Sequence, residues 1–204
     1  MASDTKDRAD IRALAENWVM WRDARQWDRF RTLWHAEGQM WATWFQGSYE
    51  DFIRVSQEGY AKGARIMHML GGVSVDLKGK RAIAQAKMTI TQRAEVDGVL
   101  CDVNCVGRFF HFVERRKGPK GKSQWGIVLT RLAYERDRID PVEPGAKLIL
   151  DNKLLTQFPE GYRHLAYLQH RIGYTIKDEL PGLEGPALDA LYAQCTGWLK
   201  GKRL

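Results

Sequence analysis

Cysteine is scarce: Cys101, Cys105 and Cys195 are the three in 204 residues, an odd number with no CxxC pair. Neither a disulfide framework nor a cysteine zinc site is expected, and buried free thiols are. No run of about 18 uncharged apolar residues is present to span a bilayer. The opening stretch MASDTKDRADIR alternates charges where a secretory leader would need an apolar segment, so no membrane partner and a cytoplasmic location are expected. Also missing are GxGxxG, GxxxxGK[ST] and GxSxG, the common signatures of dinucleotide sites, phosphate loops and serine hydrolases. The histidines His35, His68, His111, His164 and His170 do not pair at metal-ligand spacing on a helix. No metal and no cofactor are expected, and any chemistry falls to ordinary side chains.

What is present is the composition of a soluble globular protein, 44% hydrophobic and 28% charged, without repeats or low-complexity tracts. The net charge of +7 resembles a nucleic-acid signal until it is located. Glu114–Lys122 holds five basic residues and one acidic, and Lys200–Arg203 three basic residues. The first reads as a hairpin tip around Gly118, Pro119 and Gly121, the second as a chain end, so no nucleic-acid partner is expected. Tryptophan is abundant, eight in all and concentrated between Trp18 and Trp44, which points to an aromatic-lined cavity.

Ile11, Leu14, Trp18 and Trp21 recur at helical spacing and predict a helix over residues 7–22, followed by a second over about 26–34. A short strand is expected through MWATWF (40–45). Ser48 followed three residues later by Asp51 predicts a capped third helix running to about Tyr60, with Gly63 beyond its end. From residue 72 the period changes to alternation, and three long stretches separated by VDG and KGPKGK predict an antiparallel meander. Strands of this length must twist, so an α+β cone is expected: helices within 7–62 packed on a curved sheet from 38 to 136, around a central cavity. Residues 1–137 form the expected main domain. Residues 138–204 form a helical extension, too apolar to be a free linker, packed on the same domain or on a neighbouring subunit. The meander's outer face and this tail offer more hydrophobic surface than one subunit should expose, so a homo-oligomer is expected.

Two side chains stand out for chemistry. Asp23 ends an apolar-faced helix between Trp21 and Trp27, and His68 in RIMHMLGG stands beside a glycine pair. A histidine held by a carboxylate is a general base tuned near neutral pH. Taken separately, each has a simpler reading, the aspartate as a cap and the histidine as a structural residue.

The stretch DARQWDRFRTLW (Asp23–Trp34), then HMLGG (His68–Gly72) some 35 residues later, then a meander, resembles the NTF2-like superfamily in its SnoaL-like branch, over residues 8–136. Closest in pattern are the scytalone dehydratase and hexachlorocyclohexane dehydrochlorinase families. The resemblance implies the cone fold, trimers, and a catalytic Asp-His dyad falling on Asp23 and His68. The surroundings depart from both families. The dehydratase's second histidine corresponds to Thr91 or Gln92, its pocket serine to Gly107, and its pocket tyrosines to Arg22 and Ala42, with Trp44 nearby. The dehydrochlorinase's helix lysine has no counterpart near Trp18.

Alternation that turns Gly107 inward also turns in Phe109 and His111, with Thr89 and Thr91 on one neighbour and Thr130, Leu132 and Tyr134 on the other. A one-residue slip would substitute Arg108, Phe110 and Arg131. The predicted pocket is large, aromatic and sparsely polar, lined by Arg22, Trp44, Thr91, Arg108, Phe109, His111, Leu132 and Tyr134, although much of this set also fits ordinary core. Tyr134, His111 or Arg108 stands as the acid or as the group that holds a phenolate. The tail resembles a longer SnoaL-like subgroup that includes cofactorless diarylpropane lyases. The resemblance implies a lyase acting on a bulky aromatic, lignin-derived diaryl substrate by deformylation or dehydration. A non-catalytic ligand-binding module and an isomerase or cyclase are the alternatives, since fold does not fix function.

Overall fold

A computed structural model describes residues 2–118, 121, 123–177 and 179–204. Positions 119, 120 and 122, part of the expected basic hairpin tip, lie outside the described residues. Helix α1 (Ala2–Asp23) buries Ile11, Ala15, Trp18, Val19 and Arg22 along one stripe, the spacing of a helix lying on a core. It ends in a turn where Arg25 adopts a left-handed backbone (φ 57°). Helix α2 (Trp27–Arg31) is shorter than the expected 26–34 because Trp34 already opens strand β1 (Trp34–Trp41). The strand expected at 40–45 is therefore displaced toward the N-terminus, and residues 42–45 turn the chain into β2 (Gln46–Ser48). Helix α3 (Tyr49–Ala61) starts where its cap predicts, with Ser48 Oγ accepting from the Asp51 N–H at 3.1 Å.

Four long strands follow, the alternating stretch expected from residue 72 and the three after it: β3 (Arg65–Lys78), β4 (Arg81–Val96), β5 (Val99–Lys117) and β6 (Ser123–Pro141). β3 begins seven residues before the alternation expected from residue 72, because Gly71 and Gly72 fall at a bulge between Leu70 and Val73 instead of ending a loop. His68 thus lies inside a strand. The six strands run in the order β2-β1-β6-β5-β4-β3 in a curved, unclosed sheet, the α+β cone expected. The β1–β6 pair is parallel and the others antiparallel. β4 and β5 meet through Asp97 (φ 50°) and Gly98 (φ 82°), the two positive angles of a two-residue hairpin turn, which fixes Val96 opposite Val99. At Gly107 a β-carbon would collide with the Ala133 carbonyl oxygen, so β6 can bulge against β5 only where no side chain exists.

The concave face packs against Phe30 of α2, Phe52 and Ile53 of α3, and Leu165, Ala166 and Leu168 of α5 (Arg163–Arg171). α5 follows a short helix, α4 (Asn152–Leu155), and is anchored to the sheet by Asp137, which accepts from the Leu165 N–H at 2.7 Å and faces His164 Nδ1 at 2.8 Å. The chain then ties back through Lys177 N–H to the Thr43 carbonyl (2.7 Å) and Tyr134 N–H to the Pro181 carbonyl (2.8 Å). The last helix, α6 (Pro186–Leu199), lays Leu188, Leu191, Cys195 and Trp198 on Ile83, Phe110, Phe112 and Leu129 of the convex face. The outer apolar face and the apolar tail, both invoked for an oligomer, therefore bury one another within the chain. Met67 and Met69 on β3 remain 64% and 75% exposed. No helix among the described residues is long and apolar enough to cross a membrane.

Trp198 donates its Nε1–H to the Ala82 carbonyl at 3.2 Å, meets Phe112 edge-on, and lies 3.9 Å beneath the Arg81 guanidinium. Trp198→Ala should lower unfolding free energy by about 3–5 kcal/mol, the range for deleting a buried aromatic, read as a lower urea midpoint. His111 is 0% exposed, with Nδ1 2.8 Å from Thr130 Oγ1, and burial pulls its pKa from 6.5 down to about 3. Between those values the unfolded chain binds a proton that the folded chain refuses, so stability falls as pH drops through that window. Wild type should lose up to about 1.4 kcal/mol more per pH unit there than His111→Gln, measured by urea unfolding from pH 7 to 4.

Candidate active site

β3 is an edge strand, and the outward N–H of its His68 would otherwise face no partner. Asp23, the last residue of α1, fills that vacancy: its Oδ2 accepts from the His68 backbone N–H at 2.5 Å while Oδ1 lies 2.9 Å from His68 Nδ1. One carboxylate thus finishes the strand edge and aims the ring. Arg22, 3% exposed, donates from Nη1 to Asp23 Oδ1 (3.1 Å) and to the Tyr60 hydroxyl (2.8 Å). Trp18 stands edge-on to the imidazole, ring centroids 5.5 Å apart and planes at 88°, and Phe109 closes the other side at 5.8 Å.

Burial works to raise the Asp23 pKa, but the His68 hydrogen bond and charge, with Arg22 beside it, outweigh this and hold the carboxyl below its ordinary range. For His68 burial is the larger influence and lowers its pKa below 6.5, against the upward pull of Asp23. Near neutral pH the pair is a carboxylate and a neutral imidazole. The carboxylate on the Nδ1 side keeps the proton there, which leaves the lone pair on Nε2. That nitrogen has no hydrogen-bond partner among the described residues, and the His68 ring lines an internal cavity.

The cavity is not large, as alternation suggested, but about 30 Å3, roughly the space of one water. Trp18, Phe52, Phe109 and Tyr134 fill the cone with their rings, and α5 pushes Leu165 and Gln169 into it. An open groove of about 380 Å3 runs outside, along Asp23, Arg25, Tyr60, Arg65 and Thr91. Ile66 lines both spaces, so they adjoin at the dyad.

Of the residues expected around the pocket, Arg22, Trp44, Phe109, Leu132 and Tyr134 line the cavity. His111 does not: it stacks behind Phe109 at 5.4 Å and belongs to the core. Thr91 faces the other side of the sheet, hydrogen-bonded to Asn104 at 2.8 Å, and reaches only the outer groove. Its neighbour Gln92 takes the inward position, because the hairpin register aligns Met88, Ile90 and Gln92 with the inward Gly107, Cys105 and Val103. Arg108 falls between two inward residues and points to the convex face, where it pairs with Glu135 at 2.5 Å and with Tyr192 of α6. It is removed from the dyad. Burial raises the Tyr134 pKa strongly and keeps the phenol protonated, with its oxygen accepting from the Thr43 N–H at 3.1 Å.

Sequence reasoning missed a polar chain across the back of the cavity. Thr43 Oγ1 donates to Gln169 Oε1 at 2.7 Å, and Gln169 Nε2 donates to Gln92 Oε1 at 3.0 Å. The turn residues Asp97 and Gly98 were the signal for Gln92; no local pattern marks Gln169. No cluster of three or more His, Cys, Asp or Glu side chains among the described residues could hold a metal.

The sequence profile of the SnoaL-like domain matches residues 3–131. Similar chains include a PEP2-like protein of Fusarium vanettenii, 38% identical over 209 residues covering 97% of this chain and 88% of the relative. Another is pea pathogenicity protein 2 of the same fungus, 35% identical with the same coverage. Among solved structures, a putative scytalone dehydratase from Novosphingobium aromaticivorans DSM 12444 shares the fold at 14% identity and a TM-score of 0.53, over 74% of this chain and 99% of that one. A hexachlorocyclohexane dehydrochlorinase LinA-type3 from Novosphingobium barchaimii LL02 does so at 13% identity and 0.52, over 72% and 97%. With the profile spanning more than half of the sequence and relatives aligned along nearly all of it, the chain belongs to the SnoaL-like domain family.

Proposed function

We propose that this protein is a cofactor-independent lyase in which His68 is the general base and Asp23 its orienting partner. The observation that carries this reading is the neutral imidazole, held on Nδ1 by an ionised carboxylate, with Nε2 unpartnered toward a cavity. Elimination needs a base that takes a proton and an acid that returns it to the departing group. His68 serves both in turn if the leaving group departs on the side from which the proton was taken. A pure binding site gains nothing from an oriented, uncharged base, which favours catalysis over the binding module.

An aromatic substrate, and within that class a lignin-derived diaryl compound losing formaldehyde or water, is the specific form of the proposal, and its support is the resemblance of the tail and the aromatic surroundings. The inner cavity admits only an oxygen-sized group, so such a substrate would lay its rings along the outer groove and bring its reacting end to His68. A homotrimer and a cytoplasmic location belong to the same proposal and rest on the resemblance and on the sequence.

Incubation with a panel of two-ring diols and benzylic alcohols, followed by stilbene absorbance and product analysis, tests the activity. Saturable binding without turnover would leave a binding module instead. On a turned-over substrate, His68→Ala or Asp23→Asn should lower kcat by roughly two to four orders of magnitude with the fold intact, and the two losses should not add, because the aspartate acts through the histidine. Near-normal turnover in both variants would move the chemistry elsewhere.

The pH dependence follows from the direction of the His68 shift. Activity requires the neutral ring, so it should fall as pH drops through the His68 pKa, with the midpoint below 6.5 because burial dominates. Asp23→Asn removes the upward pull on that pKa and should move the acid limb of the residual activity further down, read from kcat/KM profiles.

A further inference from the structure

Two donors at the inner cavity have no partner among the described residues. Trp18 Nε1 and Arg22 Nε are buried without a hydrogen bond, and both side chains line the space that His68 faces. They sit at i and i+4 on α1, neighbours on one face of the helix. Trp18 is 1% exposed and Arg22 3%, so bulk water does not satisfy either. Buried donors left unpaired are rare in folded proteins and costly to keep. Arg22 is also fixed in place: its Nη1 is committed to Asp23 and Tyr60, which leaves Nε–H as a donor that cannot swing away. Neither group accepts a hydrogen bond, so what they call for is an acceptor.

We propose that Trp18 Nε1 and Arg22 Nε together bind one substrate carbonyl oxygen that gains negative charge, conjugated with the carbon whose proton His68 takes. This deepens, and rests on, the assignment of His68 as base. The cavity volume of about 30 Å3 suits a single oxygen and not a ring. The C–H bond breaks, its proton goes to His68 Nε2, and the electron pair enters the conjugated system and rests on the oxygen between the two donors. When the bond to the leaving group breaks, that pair forms the new double bond, the oxygen returns to its starting state, and His68 gives its proton to the group that leaves. Donors aimed at the oxygen where charge develops stabilise the transition state more than the ground state. The substrate class is then an enolisable carbonyl compound with its leaving group β to the carbonyl, its oxygen inward and its bulk in the outer groove.

The probe is 4-nitrophenol, whose phenolate carries a charged oxygen and a visible absorbance, with nitrobenzene as the uncharged isostere. Wild type should bind the phenolate in preference to the phenol, seen as phenolate absorbance appearing at a pH where free 4-nitrophenol is mostly neutral. Trp18→Phe keeps a ring in place and removes one donor, and Arg22→Met removes the other. Each should weaken phenolate binding about tenfold, the scale of one hydrogen bond to a charged group, and leave nitrobenzene affinity unchanged. A purely structural effect would move both ligands together. His68→Gln should keep phenolate binding while turnover is lost. Absence of phenolate preference in wild type, or unchanged preference in folded Trp18→Phe, overturns the proposal. Phenolate binding that depends on both donors, in a protein that turns over none of the panel, upholds the oxygen site and removes the lyase reading alone.

Discussion

A lone carboxylate joins the two layers of this protein. Asp23 is the final residue of α1, yet both its oxygens are spent on β3: one on the N–H that the edge strand would otherwise leave bare, the other on the imidazole of the same residue. The first bond sets where the helix ends relative to the sheet, and the second sets the tautomer of the ring. Because both come from one group, the helix cannot slide along the strand without disorienting the histidine. Arg22 secures the arrangement from the helix side and is itself braced by Tyr60 of α3, so three elements converge on one pair of atoms.

Burial acts on this pair in a useful way. The same apolar surroundings that would discourage the carboxylate's charge also discourage a charge on the ring, and the two groups can share only one charge comfortably. The hydrogen bond to His68, with Arg22 beside it, holds the charge on the aspartate, while burial keeps it off the ring. The histidine is left neutral and close to aromatic faces, while the remaining polar groups of the cavity, Thr43, Gln92 and Gln169, are occupied with one another. The unpartnered Trp18 Nε1 and Arg22 Nε of α1 differ from the other buried unpartnered atoms, Trp34 Nε1, Ser56 Oγ, His111 Nε2 and Asp140 Oδ2, in that their side chains line the cavity.

Much of the architecture was legible because it depends on local chemistry. The Ser48 cap, the two-residue Asp97–Gly98 turn and the long alternating stretches each specify a geometry by themselves. The dyad was legible only through resemblance, since nothing local brings residue 23 to residue 68. The outward side of Thr91 is written in the turn: a two-residue turn pairs Val96 with Val99, so even-numbered residues of β4 face the same way as odd-numbered residues of β5. Trp34 carries a misleading local signal, since its spacing from Trp27 and Phe30 is helical, while pairing with β6 claims it for a strand. The size of the cavity was out of reach of any pattern. It depends on how far α5 intrudes, and that depends on contacts such as Asp137 with His164 between segments far apart in the chain.

The reach of the C-terminal segments bears on how the protein is made. Gln169, which completes the wall of the cavity, binds a residue 126 positions earlier, and Trp198 binds a carbonyl 116 positions earlier. On the ribosome, α1 is available early to the concave face, but the convex face of the nascent sheet stays uncovered until α6 emerges, after all six strands. Contacts this distant make for slow, late closure and a window in which apolar strands are open to other chains. A nascent chain of this kind gains most from a chaperone that shelters the convex face until α6 is available to replace it.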